Sequence, residues 1–317
     1  MKKVTREHVI YAMSADDCPA AEIWPGEQVC FETYDCYQGN LLPEGNTFVN
    51  VDRRYGNPAT GPVYVHGAKP GDTLQIHIDR LEVGPVGILD IGPTSGVLKG
   101  IFPQPVIKRI PVRDGHLYYD GIPVPISPMI GVIGVAPEGE AVSTKAPGNH
   151  GGNMDCTKIE EGATLYLPIS VEGALLSTGD FHAIMGEGEV ANCGVEIEGT
   201  TTLTVDVMHG TGLKWPMLEN DTQWITIACG QDLDEAAERA VQQMYQFLTE
   251  WKGLEEVDAG MLIDMVGDLI VCQIVNPLTT VRMEVSKWLI EKMQQKYRDN
   301  GSNRSWKEKW GKYHGNN

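Results

Sequence analysis

The chain has 317 residues, 42% hydrophobic and 21% charged, an ordinary composition for a globular protein with a substantial core. Its net charge of −18 and pI near 4.8 exclude nucleic acid and anionic membrane as natural partners, because a negative surface repels both. No apolar stretch is long enough to span a bilayer, and the seven cysteines form no Cys-x-x-Cys pair, which predicts a reduced, cytoplasmic protein without a paired-cysteine zinc site.

From the N-terminus, Met1-Lys2-Lys3 leads into mixed polar sequence rather than the apolar core of a signal peptide. Glycine and proline then punctuate the first 230 residues, with β-branched runs between them at Thr73–Ile78, Leu165–Val171, Gly194–Ile197 and Thr200–Val207. This pattern predicts strands separated by turns, in a sandwich or a barrel. Gly84–Pro105 reads as a loop at a boundary or a site rim. Asp114-Gly115 and Asp120-Gly121 predict hairpin turns around His116–Tyr119. After Gly230 the period becomes helical, with Leu233, Ala237, Val241, Met244, Leu248 and Trp251 on one face and Gly253 as the stop. A second helix is expected from Asp258 to about Val275, ended by Pro277, and a strand over Thr279–Val285. The domain reading is a β-rich body over 1–230, an α+β portion over 231–300 and a basic tail over 301–317. Residues 281–317 hold nine Lys/Arg against four Asp/Glu. Arg304, Lys307, Lys309 and Lys312 in the tail read as a solvated segment, with docking on an acidic partner subunit as the alternative.

Three segments carry chemistry. Gly148-Asn149-His150-Gly151-Gly152-Asn153-Met154-Asp155 places an imidazole, an amide and a carboxylate around two glycines. A loop of this kind can aim several polar groups at one point, although a self-capped turn explains it equally. Gly179-Asp180-Phe181-His182 through Gly186-Glu187-Gly188-Glu189 combines an imidazole with three carboxylates, a donor set suited to a divalent cation, or else an acidic hairpin. In Glu32-Thr33-Tyr34-Asp35-Cys36, Asp35 is a candidate third ligand or a turn cap, and Cys36 reads as a buried thiol rather than a nucleophile. A Gly-x-Ser-x-Gly elbow, a His-Glu-x-x-His helix and a phosphate loop are all missing from the sequence, which disfavours serine hydrolases and nucleotide enzymes.

In these segments, together with Gly131-Val132-Ile133-Gly134-Val135-Ala136-Pro137, the chain resembles the acetamidase/formamidase family from the N-terminus to about residue 290. The resemblance implies hydrolysis of short-chain amides such as formamide or acetamide to a carboxylate and ammonia. It implies a mainly β fold, a jelly-roll-like sandwich with a barrel-like insertion and a smaller, helical α+β C-terminal portion. It also implies a homo-oligomer, dimeric or higher, and a divalent metal. Where relatives often carry Asp, this chain carries Glu187.

On this basis Asp35, Asp155 and His182 are the expected ligands of a divalent metal, zinc by its donors, with calcium as the alternative. Asp155, His182, Glu187 and Glu189 are the expected catalytic set, with Glu187 as the base that takes a proton from water. The Gly151 and Gly152 amides are expected to stabilise the oxyanion, with His150 and Asn153 beside the substrate. The rival reading is a calcium-stabilised β-sandwich that binds without catalysis. A second rival uses Cys36 or Cys156 as a nucleophile.

Overall fold

The computed structural model describes residues 1–299; the basic tail over 301–317 lies outside the described residues. The strands that carry the core or the site are, in chain order, Glu27–Thr33 (β1), Thr73–Val83 (β2), Met129–Gly134 (β3), Gly151–Asn153 (β4), Leu176–His182 (β5), Glu196–Ile197 (β6), Gly199–Met208 (β7), Gln223–Gly230 (β8), Asp268–Gln273 (β9) and Thr279–Ser286 (β10). The helices are Leu233–Gln246 (α1), Glu256–Val266 (α2) and Lys287–Asp299 (α3).

Among the described residues the strands form one sheet of nine and one of twelve, with a short pair beside them. In the first sheet β7 lies between β1 and β2, and β8, β10 and β9 extend the far end. In the second, β6, β5, β3 and β4 are successive neighbours. Neither sheet closes into a barrel, so the expected barrel-like insertion is absent as a closed structure, while the mainly β body with a helical C-terminal part is present.

Alternation decides which faces meet. Along β2, Leu74, Ile76 and Ile78 are buried while Gln75 and His77 between them are half-buried, as a period of two requires. These side chains share one core with Ile130, Ile133, Phe181 and Ile197 of the second sheet, so the two sheets pack face to face. Each large apolar side chain buried there contributes about 1.5–3 kcal/mol. A second core lies at the far end of the first sheet. There Trp224, Val281, Met283 and Val285 pack against Ala236, Ala240 and Met244 of α1, Leu262 of α2 and Ile290 of α3.

Several local expectations hold. Asp114, Gly115, Asp120 and Gly121 all have positive φ, the backbone of a two-residue hairpin turn. Asp232 caps α1 through Glu235 N. One expectation fails. The second helix stops at Val266, and Asp268–Gln273 is a strand paired with β10. Gly267 ends the helix, and its missing Cβ is the space the Met283 methyl occupies. Leu269, Ile270 and Val271 then follow strand propensity and add an edge to the sheet.

Candidate active site

The site begins at a break in the β3–β5 ladder. Ile130 pairs with Phe181 and Val132 with Gly179, leaving Gly131 and Asp180 unpaired between them. The Gly131 carbonyl instead accepts the amides of Met154 at 3.1 Å and Asp155 at 3.2 Å. This folds Asp155 over the glycine. A Cβ at Gly131 would lie 2.6 Å from Asp155 Oδ1 and 3.0 Å from Asp180 Oδ2. Asp155, Asp180 and Glu189 have φ of 45°, 55° and 44°, a region costly for non-glycine residues and concentrated at functional sites. His182 ends β5 with its ring against Gly194, where a Cβ would lie 2.6 Å from Nδ1.

Asp155, His182 and Glu189 are all buried, and each offers a ligand atom within 4.8 Å of the others. Cys36, Asp180 and Glu196 form a second such group. Asp180, Glu189, Glu196 and Cys36 line a cavity of ≈ 530 Å³, whose other walls include Phe48, Asn57, Pro93, Lys145, Asn153 and Asn276. Asp155 Oδ1, Asp180 Oδ1, Glu189 Oε2, Glu196 Oε2 and both His182 ring nitrogens are buried without a hydrogen-bond partner. His182 Nε2 comes within 3.1 Å of Glu196 and 3.8 Å of Asp180, yet it makes no aligned hydrogen bond. Buried polar atoms are nearly always paired. Two carboxylates and an imidazole left unpaired together are a donor set that fits a divalent cation such as zinc.

Three asparagines knit the carboxylates together. Asn276 Nδ2 donates to Asp155 Oδ2 at 2.6 Å, and Asn57 Nδ2 to Asp180 Oδ2 at 2.9 Å. Turned with its nitrogen toward the carboxylates, as the network favours, the Asn153 amide donates to Asp180 at 3.0 Å and to Asp155 at 3.3 Å. Partners of this kind fix the orientation of metal-binding carboxylates.

Burial and crowding of charge perturb Asp155, Glu189 and Glu196. Burial, with Asp180 beside it, pushes Asp155 up to about 6. Burial pushes Glu196 up to about 8, against the pull of His182. Glu189 is held well above the usual carboxylate range by burial and by Asp155. Burial opposes a charged His182, but Glu196 and Asp180 outweigh it and raise the imidazole well above its ordinary value. Burial and the neighbouring acids also keep the Cys36 thiol protonated, which argues against a nucleophilic Cys36. Cys156 is buried and outside the cavity wall.

Of the residues expected from sequence, Asp155, His182, Glu189 and Asn153 come together. The others do not. Asp35 Oδ1 accepts the amides of Tyr37 at 2.8 Å and Gly39 at 3.0 Å, the turn-cap alternative. Glu187 is engaged by both terminal nitrogens of Arg282 at 2.6 Å and by the Thr157 hydroxyl at 2.8 Å, so it stands outside the cluster in a bidentate ion pair. Gly151 and Gly152 are buried in β4, off the cavity wall, with φ of 93° and 79° that only glycine tolerates easily. His150 is buried behind them, also off that wall, and burial lowers it to about 4.

Sequence reasoning missed Asp180 and Glu196 as site residues, and it missed Asn57, Asn276, Lys145 and Arg282. Asp180 lay inside a segment already singled out. Glu196 sat in a predicted strand, and the asparagines carried no local signal.

The Acetamidase/Formamidase family model matches residues 6–145 and 138–266. The chain belongs to the acetamidase/formamidase family. It is 42% identical to a solved acetamidase from Bacillus halodurans, over 92% of this chain and 99% of that one, with a TM-score of 0.87. A structure described as a predicted acetamidase/formamidase from Thermoanaerobacter tengcongensis is 38% identical, with a TM-score of 0.89, over 92% of this chain and 97% of that one. An acetamidase of Mycolicibacterium smegmatis is 26% identical over 264 residues, 61% of this chain and 64% of that protein's length. In this acetamidase/formamidase chain, Asp180, Glu189 and Glu196 line the cavity, and the buried Asp155 and His182 cluster with Glu189 behind that wall.

Proposed function

We propose that this protein hydrolyses short-chain aliphatic amides, of the formamide and acetamide type, to a carboxylate and ammonia. One observation carries the reading. Asp155, His182 and Glu189 converge, each with a buried atom that lacks a hydrogen-bond partner and Glu189 on the wall of a cavity, in a chain whose family is acetamidase/formamidase. A group opening onto a cavity suits catalysis, whereas a calcium-stabilised binding module would close its ligand shell.

Asp155, His182 and Glu189 would hold a divalent cation, zinc by its donor preference. When bound, that cation supplies a Lewis acid and lowers the pKa of water toward roughly 7. Asn276 and Asn153 orient Asp155. Glu189, on the cavity wall, takes the proton from the attacking water through its second oxygen. It then returns that proton to the nitrogen as the C–N bond breaks and the C–O bond is complete. The Lys145 ammonium on the same wall offsets negative charge developing on the carbonyl oxygen. Free cysteines throughout the described residues support a cytoplasmic location. The exposed side chains of Val257, Met261 and Met265 on α2 support a homo-oligomer.

Ammonia release from formamide, acetamide and propionamide, with and without chelator, tests the reading. Turnover should vanish with the metal, return on its readdition, and fall by at least ~10²-fold in His182→Ala. Full activity in metal-free protein would end the metal proposal, and inactivity of metal-loaded protein on all three amides would end the substrate assignment.

A further inference from the structure

The cavity is larger than the smallest amides need. Acetamide fills about 120 Å³ at the ~30 Å³ that liquid water gives each heavy atom, against the ≈ 530 Å³ available here. A cavity of this size suits a ligand several times larger.

Its walls differ by depth and by chemistry. Asp180, Glu189 and Glu196 are buried, which puts them at the inner end. The apolar lining is Phe48, Val51, Pro93, Pro105, Val275 and Pro277, each half-buried or exposed, which puts it toward the opening. Three separate segments supply it. Phe48 opens the 3-10 turn Phe48–Asn50, which Val51 closes. The prolines at 93 and 105 bracket the loop expected from sequence at a site rim, and Val275 and Pro277 lie in the turn between β9 and β10. The last two segments touch, since a Cβ at Gly96 would lie 3.0 Å from Val275 Cγ1.

Other polar side chains of the lining are engaged with the protein. Tyr37 donates its hydroxyl to Asp90, and the Cys193 thiol donates to the same carboxylate at 3.5 Å. Ser95 Oγ accepts the Gly92 amide at 2.7 Å. Asn57 and Asn276 donate to Asp180 and Asp155. Beyond the acids, the wall therefore offers a ligand chiefly apolar contact.

We propose that the site takes primary amides with a medium-length apolar acyl chain, the carbonyl at the acids and the chain against Phe48, Val51 and Val275. Each methylene buried there raises kcat/KM about fourfold. Water and amide still give carboxylate and ammonium, with one C–O bond formed and one C–N bond broken. The inference rests on the amide-hydrolase reading and extends it beyond the shortest substrates.

The test is kcat/KM of the metal-loaded protein over acetamide, butanamide and hexanamide, with N-butylacetamide as the isomer of hexanamide that carries its chain on nitrogen. The value should rise at least ~10-fold from acetamide to hexanamide, and N-butylacetamide should fall below hexanamide. Phe48→Ala should lower the hexanamide value several-fold more than the acetamide value. A flat or falling series in which acetamide is turned over overturns this inference and keeps the hydrolase reading. A better rate on N-butylacetamide overturns the acyl placement, and equal losses in Phe48→Ala take that side chain out of the chain-binding wall. The wild-type series carries the test alone if the variant fails to fold. Calorimetric titration with acetamide and hexanamide separates the two readings if no amide is turned over. Tighter binding of hexanamide would then keep the apolar wall and sink the hydrolase, and equal binding would sink both.

Discussion

The smallest residues set the geometry of the site. Gly131 leaves the space in which Asp155 and Asp180 meet, and Gly194 leaves the space for the His182 ring. Gly131→Ala should therefore weaken metal binding by roughly 10–100-fold, as loss of an orienting contact does, with the overpacking costing about 1–3 kcal/mol. Metal titration and chemical denaturation check both, and unchanged affinity would show that the carboxylates can part without loss. His150 supplies a pH prediction. It stays neutral in the fold down to about 4, whereas in the unfolded chain it protonates near 6.5. The unfolded state takes the proton first, so stability is lost as pH falls from 6.5 to 4, by about 3 kcal/mol. Denaturation at pH 7 and pH 4 should show a smaller acid loss in His150→Leu than in the wild type, and equal losses would contradict the burial argument.

Among the elements, β10 supports the site through Arg282. This buried guanidinium bridges Glu284 at 2.6 Å and Glu187 of the loop that carries Glu189. Arg282→Met leaves Glu284 buried without its cation and should cost about 3–5 kcal/mol. Glu187 is half-exposed, so Glu187→Gln should cost less and keep turnover within several-fold. The expectation from sequence, with Glu187 as the base, makes the opposite prediction. A loss of ~10²-fold or more in Glu187→Gln with normal stability would restore that role. The site was legible only in part, for reasons these residues make plain. Asp155, His182 and Glu189 announced themselves because glycines, acids and an imidazole crowd short segments. Asn276 and Arg282 did not, because each acts across more than ninety residues of chain, and nothing local marks such a partner. Asp35 reads as either a ligand or a cap because both use the same residue type, and the fold shows the cap.

For the whole molecule, the nine-stranded sheet crosses the boundary expected at residue 230, since β8 pairs with β10. The body and C-terminal portion thus share one sheet with different cores on it. The helical layer leaves Val257, Met261 and Met265 at 66–68% exposure, one turn apart on α2, a spacing that puts them on one stripe. This stripe is where the proposed oligomer would pack. Light scattering should give a mass above that of the 34.8 kDa chain, and Met261→Glu with Met265→Glu should shift it toward monomer. A wild-type mass of one chain would remove the oligomer reading. The sequence by itself determined the mainly β class, the hairpin turns, the first C-terminal helix, the family and the three residues that meet in the buried cluster. Each depends on short-range periodicity, turn chemistry or residues close together in the chain. Only the tertiary structure decided the rest. It gathered Asp155, His182 and Glu189 into one buried cluster, with Glu189, Asp180 and Glu196 on one cavity wall, and it set Asp35 in a turn cap and Glu187 in an ion pair with Arg282. That outcome depends on which strands pair and where a ladder breaks, long-range packing that no local pattern encodes.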